Sequence, residues 1–225
     1  MTAVIAAAGS GERLGAGGPK AFVPLGGRPM IAWSLDACLD CDVVASVVVA
    51  VPGGHGHGLD GTPRVRTVDG GSTRAESVAN ALATVDTEFV AIHDAARPLL
   101  TPALIEALVE TLAADPDAAG IIAAAPVTDT VKKVRGIFRA SETRNAPRAV
   151  DRTLDRSELW GAQTPQVFRT AALRAALDAH DAATDEAMLV EAAGRTVLLH
   201  DPGAPNIKVT TPLDLRVAEL LLAER

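Results

Sequence analysis

Residues 2 to 20 read Thr2-Ala3-Val4-Ile5-Ala6-Ala7-Ala8-Gly9-Ser10-Gly11-Glu12-Arg13-Leu14-Gly15-Ala16-Gly17-Gly18-Pro19-Lys20, an unbroken apolar run stopped by glycine and followed by a glycine-rich loop. A short run without polar alternation suits a strand buried on both faces, as in a parallel sheet covered by helices. The rest of the chain repeats the theme. Short β-branched or apolar runs at 46–51, 65–68, 89–93, 120–125, 196–200 and 207–210 read as strands. Between them, helical stretches are predicted at 29–39, 73–83, 102–114, 170–179, 184–193 and 212–223, marked by Thr caps, by Pro at first positions and by a closing Gly194. Strands alternating with helices predict an α/β, Rossmann-like, mostly parallel sheet with helices on both faces.

Such a sheet binds its ligands at the C-terminal ends of its strands. Four clusters fall there: 9–20 after the first strand, 70–77 after the third, 94–98 after the fourth, and Lys208 near the last.

Composition sets the outer limits. The 225 residues are 48% hydrophobic and 22% charged, which fits one large globular domain spanning 1–225 and excludes disorder or a disulfide scaffold. The longest apolar stretch, 43–51, is broken by Ser46 and falls well short of the roughly 20 residues of a membrane span. The N-terminus lacks the basic flank of a signal peptide, so a cytoplasmic protein is expected. A net charge of −7 argues against nucleic-acid or membrane-surface partners. Within it, residues 131–156 carry eight Lys/Arg against three Asp/Glu, while the other residues total −12. This basic segment is either a solvated hairpin or an arm that reaches an anionic substrate or an acidic partner.

Cys38-Leu39-Asp40-Cys41 is formally a C-x-x-C. It closes a helical pattern rather than opening one, where a helix dipole would activate a thiol, and a zinc site would need two further ligands such as His55 and His57. Two partly buried thiols are the simpler expectation.

The first loop is built for phosphate. Its glycines let backbone N–H groups approach an anion, and Arg13 and Lys20 add charge. Leu14 stands where a dinucleotide fingerprint needs glycine, and Lys20 is not in the G-K-[ST] setting of a Walker loop. Asp94 leaves a strand beside this loop as the lone carboxylate that Mg²⁺ needs, other divalent cations being possible, with phosphate oxygens completing the shell. His93 is expected to be a hydrogen-bonded core residue.

Several blocks then occur in order: the loop through Pro19-Lys20, Gly70-Gly71-x-x-Arg74-x-x-Ser77-Val78, His93-Asp94-Ala95-Ala96-Arg97-Pro98, Pro126-Val127-x-Asp129-Thr130, Leu159-Trp160 with Thr164-Pro165-Gln166-x-Phe168, Thr184-Asp185-Glu186-Ala187, and Asn206-Ile207-Lys208-Val209-Thr210. Together they closely resemble the 2-C-methyl-D-erythritol 4-phosphate cytidylyltransferase family of the non-mevalonate isoprenoid pathway, over essentially the whole chain. The resemblance implies a nucleotidyltransferase-like fold that joins CTP to a methylerythritol phosphate, releasing pyrophosphate. It implies that Arg13 and Lys20 grip the triphosphate, Lys208 sits on the α-phosphate and Asp94 holds Mg²⁺. Backbone at Ala7, Ala8, Gly9, Gly11 and Gly71, with the Ser77 hydroxyl, would bind the nucleotide. A protruding β-arm, 131–156, would serve a homodimer and bring Thr130 and Arg156 to the neighbour's acceptor site, with Arg97 and Thr184 nearby.

The implied chemistry is consistent with that inventory. The nucleophile is a phosphate monoester already ionised at pH 7, so the barrier lies in gathering anions and stabilising charge on the α-phosphoryl oxygens, a task for cations rather than a general base. The rival readings are a ribitol-5-phosphate cytidylyltransferase, an NAD-dependent oxidoreductase, which Leu14 opposes, and a non-catalytic nucleotide-binding protein.

Overall fold

The computed structural model describes residues 1–9, 11, 14, 18–54, 58–59, 61–136, 147–179 and 184–225. Its centre is a seven-stranded sheet. In chain order the elements are β1 (Thr2–Ala6), β2 (Pro24–Leu25), β3 (Arg28–Pro29), α1 (Met30–Leu39), β4 (Ser46–Val51), β5 (Val65–Asp69), α2 (Arg74–Leu82), β6 (Phe89–Asp94), α3 (Pro102–Ala114) and β7 (Ala118–Pro126). They continue with β8 (Lys132–Val134), β9 (Val150–Thr153), β10 (Trp160–Arg169), α4 (Thr170–Ala179), α5 (Glu186–Ala192), β11 (Thr196–His200) and α6 (Pro212–Ala223).

The sheet runs β11-β7-β10-β6-β1-β4-β5. β1 pairs in parallel with β4 on one side and β6 on the other, so the strand order reverses there. In a doubly wound sheet that switch point opens a crevice beyond the strand ends. The register places Ala6, at the end of β1, opposite Asp94, at the end of β6.

Each face of β1 feeds a different core, as its all-apolar sequence requires. Val4 joins Val48, Val78, Leu82, Ile92, Phe168 and Leu173 under α2, α4 and α5. Ala3 and Ile5 join Ile31, Leu35, Val47, Val49 and Ile105 under α1 and α3. Helices therefore cover both faces, as the sequence predicts. α6 packs at one end, where Ala218 meets Leu25, Met30 and Val209.

Three local expectations need correction. Pro29 precedes α1 with ψ 137°, outside the helix it was expected to open. α5 is capped by Asp185, whose side chain accepts from the Met188 N–H, so the helix starts after Thr184 rather than at it. Residues 207–210 form no strand: the Val209 N–H bonds the Ala96 carbonyl at 2.8 Å, and Thr210 bonds the Asp214 carboxylate that caps α6.

The sequence reading also omitted β10, which lies between β6 and β7 and runs antiparallel to both. Its ladder shifts register between Ala162 and Gln166, around Pro165, which has no N–H to donate. β8 and β9 pair in a separate antiparallel hairpin with every residue exposed, the base of the expected arm. The segment 137–146 lies outside the described residues.

Candidate active site

The crevice at the switch point is a cavity of about 420 Å³. It gathers, from four separate segments, Ala7, Ala8, Gly9, Lys20, Gly71, Ser77, Asp94 and Lys208, all singled out in the sequence. Arg74 joins them. Arg13 lies outside the described residues.

The loop after β1 folds back on itself. The Lys20 N–H bonds the Gly9 carbonyl at 3.0 Å, which returns Lys20 to the start of the loop. The return needs glycine at position 11: its φ is +74°, and a Cβ there would stand 3.1 Å from Lys20 Cα and the Gly18 carbonyl. Gly11 thus shapes the turn rather than lining the cavity.

The opposite wall is the start of α2, fixed by a capping box between Thr73 and Glu76. Ser77 Oγ donates to the Thr73 carbonyl at 2.9 Å and accepts from the Gly71 N–H at 3.0 Å. A Cβ on Gly71 would lie 2.2 Å from Glu76 Cβ, so the backbone can pass this close only as glycine.

Asp94 is the electrostatic centre. Its Oδ1 accepts from Arg74 Nε at 2.9 Å and its Oδ2 from Lys208 Nζ at 2.5 Å. Burial works to raise its carboxyl, but Arg74 and Lys208 together hold it well below the usual carboxylate range. Arg74 also gives Nη1 to both carboxylate oxygens of Glu186, at 2.7 and 2.8 Å.

Behind Asp94, the backbone N–H donates to Thr164 Oγ1 at 3.0 Å, and Thr164 Oγ1 stands 3.2 Å from His93 Nδ1. His93 Nε2 faces the Arg97 carbonyl at 3.1 Å. A carbonyl only accepts, so Nε2 carries the proton and Nδ1 accepts from Thr164. Full burial pushes His93 down to about 4, so it is neutral at pH 7 and acts as a strut between Thr164 and the Arg97 carbonyl. The expectation of a core histidine holds.

Arg97 lies on a second cavity of about 530 Å³, shared with Lys208, Gln163 and Asn206. Its Nη1 donates to the Asn206 carbonyl at 2.6 Å, while its Nε is buried without a partner. Thr130, Arg156 and Thr184 are all exposed and line neither cavity. Arg156 holds the Thr128 carbonyl at the foot of the arm, and Thr184 Oγ1 lies 3.8 Å from Met188 Sδ.

Sequence reasoning quoted Arg74 and Glu186 within motifs without assigning either to the site. The available signal was an arginine one residue into a helix that opens from a glycine pair; an acid after an N-cap looks like any first-turn carboxylate. Cys38 and Cys41 are free and buried, with burial and the neighbouring thiol pushing Cys38 up to about 12. Among the described residues no group of three metal-binding side chains occurs, and His55 and His57 lie outside them.

An open α/β sheet whose switch-point crevice joins a glycine loop, two lysines and one carboxylate defines an enzyme of the nucleotidyltransferase class. The family model described as 2-C-methyl-D-erythritol 4-phosphate cytidylyltransferase matches residues 1–224, and the chain belongs to that family. A relative of that name from Parasynechococcus marenigrum is 42% identical, covering 100% of this chain and 99% of its own length. One from Aromatoleum aromaticum is 44% identical, with 99% and 95% covered. The crystal structure of the Thermus thermophilus enzyme superposes with a TM-score of 0.76 at 32% identity, covering 98% of both chains. The reaction is cytidylyl transfer from CTP to 2-C-methyl-D-erythritol 4-phosphate, and the ribitol phosphate alternative is not favoured.

Proposed function

We propose that CTP occupies the first cavity and the methylerythritol phosphate the second, so that the two phosphates meet at Lys208. The observation that carries this division is that Lys208 lines both cavities. Lys20 reaches the triphosphate from the turned-back loop, and the family resemblance assigns Arg13, outside the described residues, to the same phosphates. Ser77 has committed its proton to the Thr73 carbonyl, and its remaining lone pair can accept from the exocyclic amine of cytosine. Arg97 lines the second cavity and places its guanidinium charge beside the acceptor phosphate.

The acceptor phosphate attacks the α-phosphorus in line with departing pyrophosphate. Lys208 neutralises charge on the α-phosphoryl oxygens while Lys20 steadies the leaving group, and no residue needs to remove a proton. Asp94 suits a divalent cation: it is ionised, lines the cavity and is a single carboxylate that leaves room for phosphate oxygens and water. Bound there, Mg²⁺ would supply charge neutralisation on the phosphates.

The arm supports a homodimer. Val134 and Val150 on it and Trp160 at its foot are 36%, 50% and 40% exposed, apolar surface that a second copy would cover. The family resemblance assigns Thr130 and Arg156 to the partner's acceptor site, and both stand apart from the cavities of their own chain. Two free thiols fit a reducing compartment, and the cytoplasm is proposed. No helix among the described residues is long and apolar enough to cross a membrane.

Pyrophosphate release from CTP and Mg²⁺ tests the assignment, with methylerythritol 4-phosphate and ribitol 5-phosphate compared as acceptors. Release with the methylerythritol phosphate alone is expected. Release with ribitol phosphate alone would overturn the acceptor, and release with neither would overturn the site assignments.

A further inference from the structure

Glu186 is 2% exposed and is the first residue of α5. A buried carboxylate is costly unless it is paired, and its partner is Arg74 of α2, which grips both of its oxygens through Nη1. The same guanidinium sends Nε to Asp94 Oδ1, leaving Lys208 on Oδ2. A planar, rigid fork cannot serve two carboxylates unless both are fixed. The quartet Glu186, Arg74, Asp94 and Lys208 carries two negative and two positive charges, so it sums to zero.

We propose that Glu186 is a positioning residue for the reaction: it anchors Arg74 and absorbs half of its charge, so that Asp94 keeps the orientation and negative potential to accept a divalent cation. Without the Glu186 charge, the whole of Arg74 falls to Asp94. The quartet becomes +1, and a cation arriving at Asp94 meets a guanidinium no longer neutralised. Glu186 lines neither cavity itself, and its effect passes through Arg74, which lines the first.

The inference rests on the proposed role of Asp94, and the experiment separates the two. Mn²⁺ is titrated into the enzyme with CTP and no acceptor, and bound metal is read by electron paramagnetic resonance, for wild type, Glu186→Gln and Glu186→Asp. Glu186→Gln preserves size and an acceptor oxygen but removes the charge. Its half-saturating Mn²⁺ is expected to rise about tenfold, since a unit charge is lost one guanidinium away in a medium of intermediate dielectric. Glu186→Asp keeps the charge on a shorter stem and is expected to shift by about threefold. The companion kinetic signature is a loss of rate that added metal recovers, with kcat at saturating metal near wild type. A loss of kcat that metal does not recover, or metal binding unchanged in a folded Glu186→Gln, overturns the proposal. If that variant fails to fold, unchanged binding in Glu186→Asp overturns it instead. Absence of protein-dependent Mn²⁺ binding in wild type overturns the metal role of Asp94 itself and this inference with it.

Discussion

Lys208 and Asp94 are 114 residues apart in sequence, yet Lys208 Nζ lies 2.5 Å from Asp94 Oδ2. The contact joins the segment after β11 to the end of β6, at the wall that separates the two cavities. Lys208 is 42% exposed, so its ammonium is reachable by ligand, whereas Asp94 is 9% exposed and fixed from behind by Thr164. The more mobile member of the pair can turn to a phosphate while the buried one stays. Lys208→Ala is therefore expected to fold normally, since Arg74 still pairs Asp94, but to lose about 10²- to 10³-fold in kcat, the scale for removing one preorganised charge-stabilising group. Steady-state kinetics beside a thermal melt decide it; wild-type turnover in a folded variant would sink the role.

Lys20→Ala is expected to lose a comparable factor in kcat. Its backbone, not its side chain, makes the return bond to Gly9, so the loop should keep its course. Fluorescence titration with CTP, read beside turnover, distinguishes a lost phosphate contact from a lost loop. A collapse of the protein's melting temperature would count against the side chain acting on ligand.

Gly71→Ala places a methyl group 2.2 Å from Glu76 Cβ and must move either the start of α2 or the loop that carries Gly71. Either shift pulls the Gly71 N–H from Ser77 Oγ and disturbs the wall proposed to read cytosine. The expected result is a rise of about tenfold or more in KM for CTP, with a smaller change in KM for the acceptor. Equal KM values for CTP in variant and wild type would remove Gly71 from the nucleotide site.

Much of this was legible in the sequence because the decisive signals are local. The apolar run of β1, the glycine loop and the Thr caps of α2, α3 and α6 each name their own structure, and the doubly wound rule then brings their ends together. β10 was illegible because Pro165 argues against a central strand, and the sheet accommodates it only through a register shift that no single sequence displays. The segment 207–210 shows the converse. Val209 buries against Leu25 and Met30 with Ile207 half-buried beside it, but the segment pairs with no strand of the sheet. Arg74 and Glu186 meet across 112 residues, and a salt bridge that long leaves no mark in spacing.

His93 makes stability pH-dependent in a defined window. Its folded pKa, about 4, lies below the ordinary 6.5, so between those values the unfolded chain binds a proton that the native state does not. Stability then rises with pH across the window and falls as pH drops from 6.5 to 4, by roughly 3 kcal/mol in total. His93→Gln is expected to be less stable at pH 7, for want of the strut between Thr164 and the Arg97 carbonyl, but to lose less stability on acidification to pH 4. Urea denaturation of both proteins at several pH values measures this, and parallel pH curves would refute it.

The arm yields a complementation test. If Arg156 completes the acceptor site of the partner subunit while Lys208 serves its own, the variants Arg156→Ala and Lys208→Ala fail in different halves of the same dimer. Each homodimer is then inactive at both sites. When the two are unfolded together and refolded at equal amounts, about half of the dimers are mixed, and every mixed dimer has one site with both residues intact and one with neither. Activity near one quarter of wild type is expected from the mixture and almost none from either variant alone. Were Arg156 to act within its own chain, each site of a mixed dimer would lack one of the two residues and mixing would restore nothing. A monomer by analytical ultracentrifugation would exclude the shared site, whereas a dimer without recovery would keep the interface and move Arg156 off the acceptor.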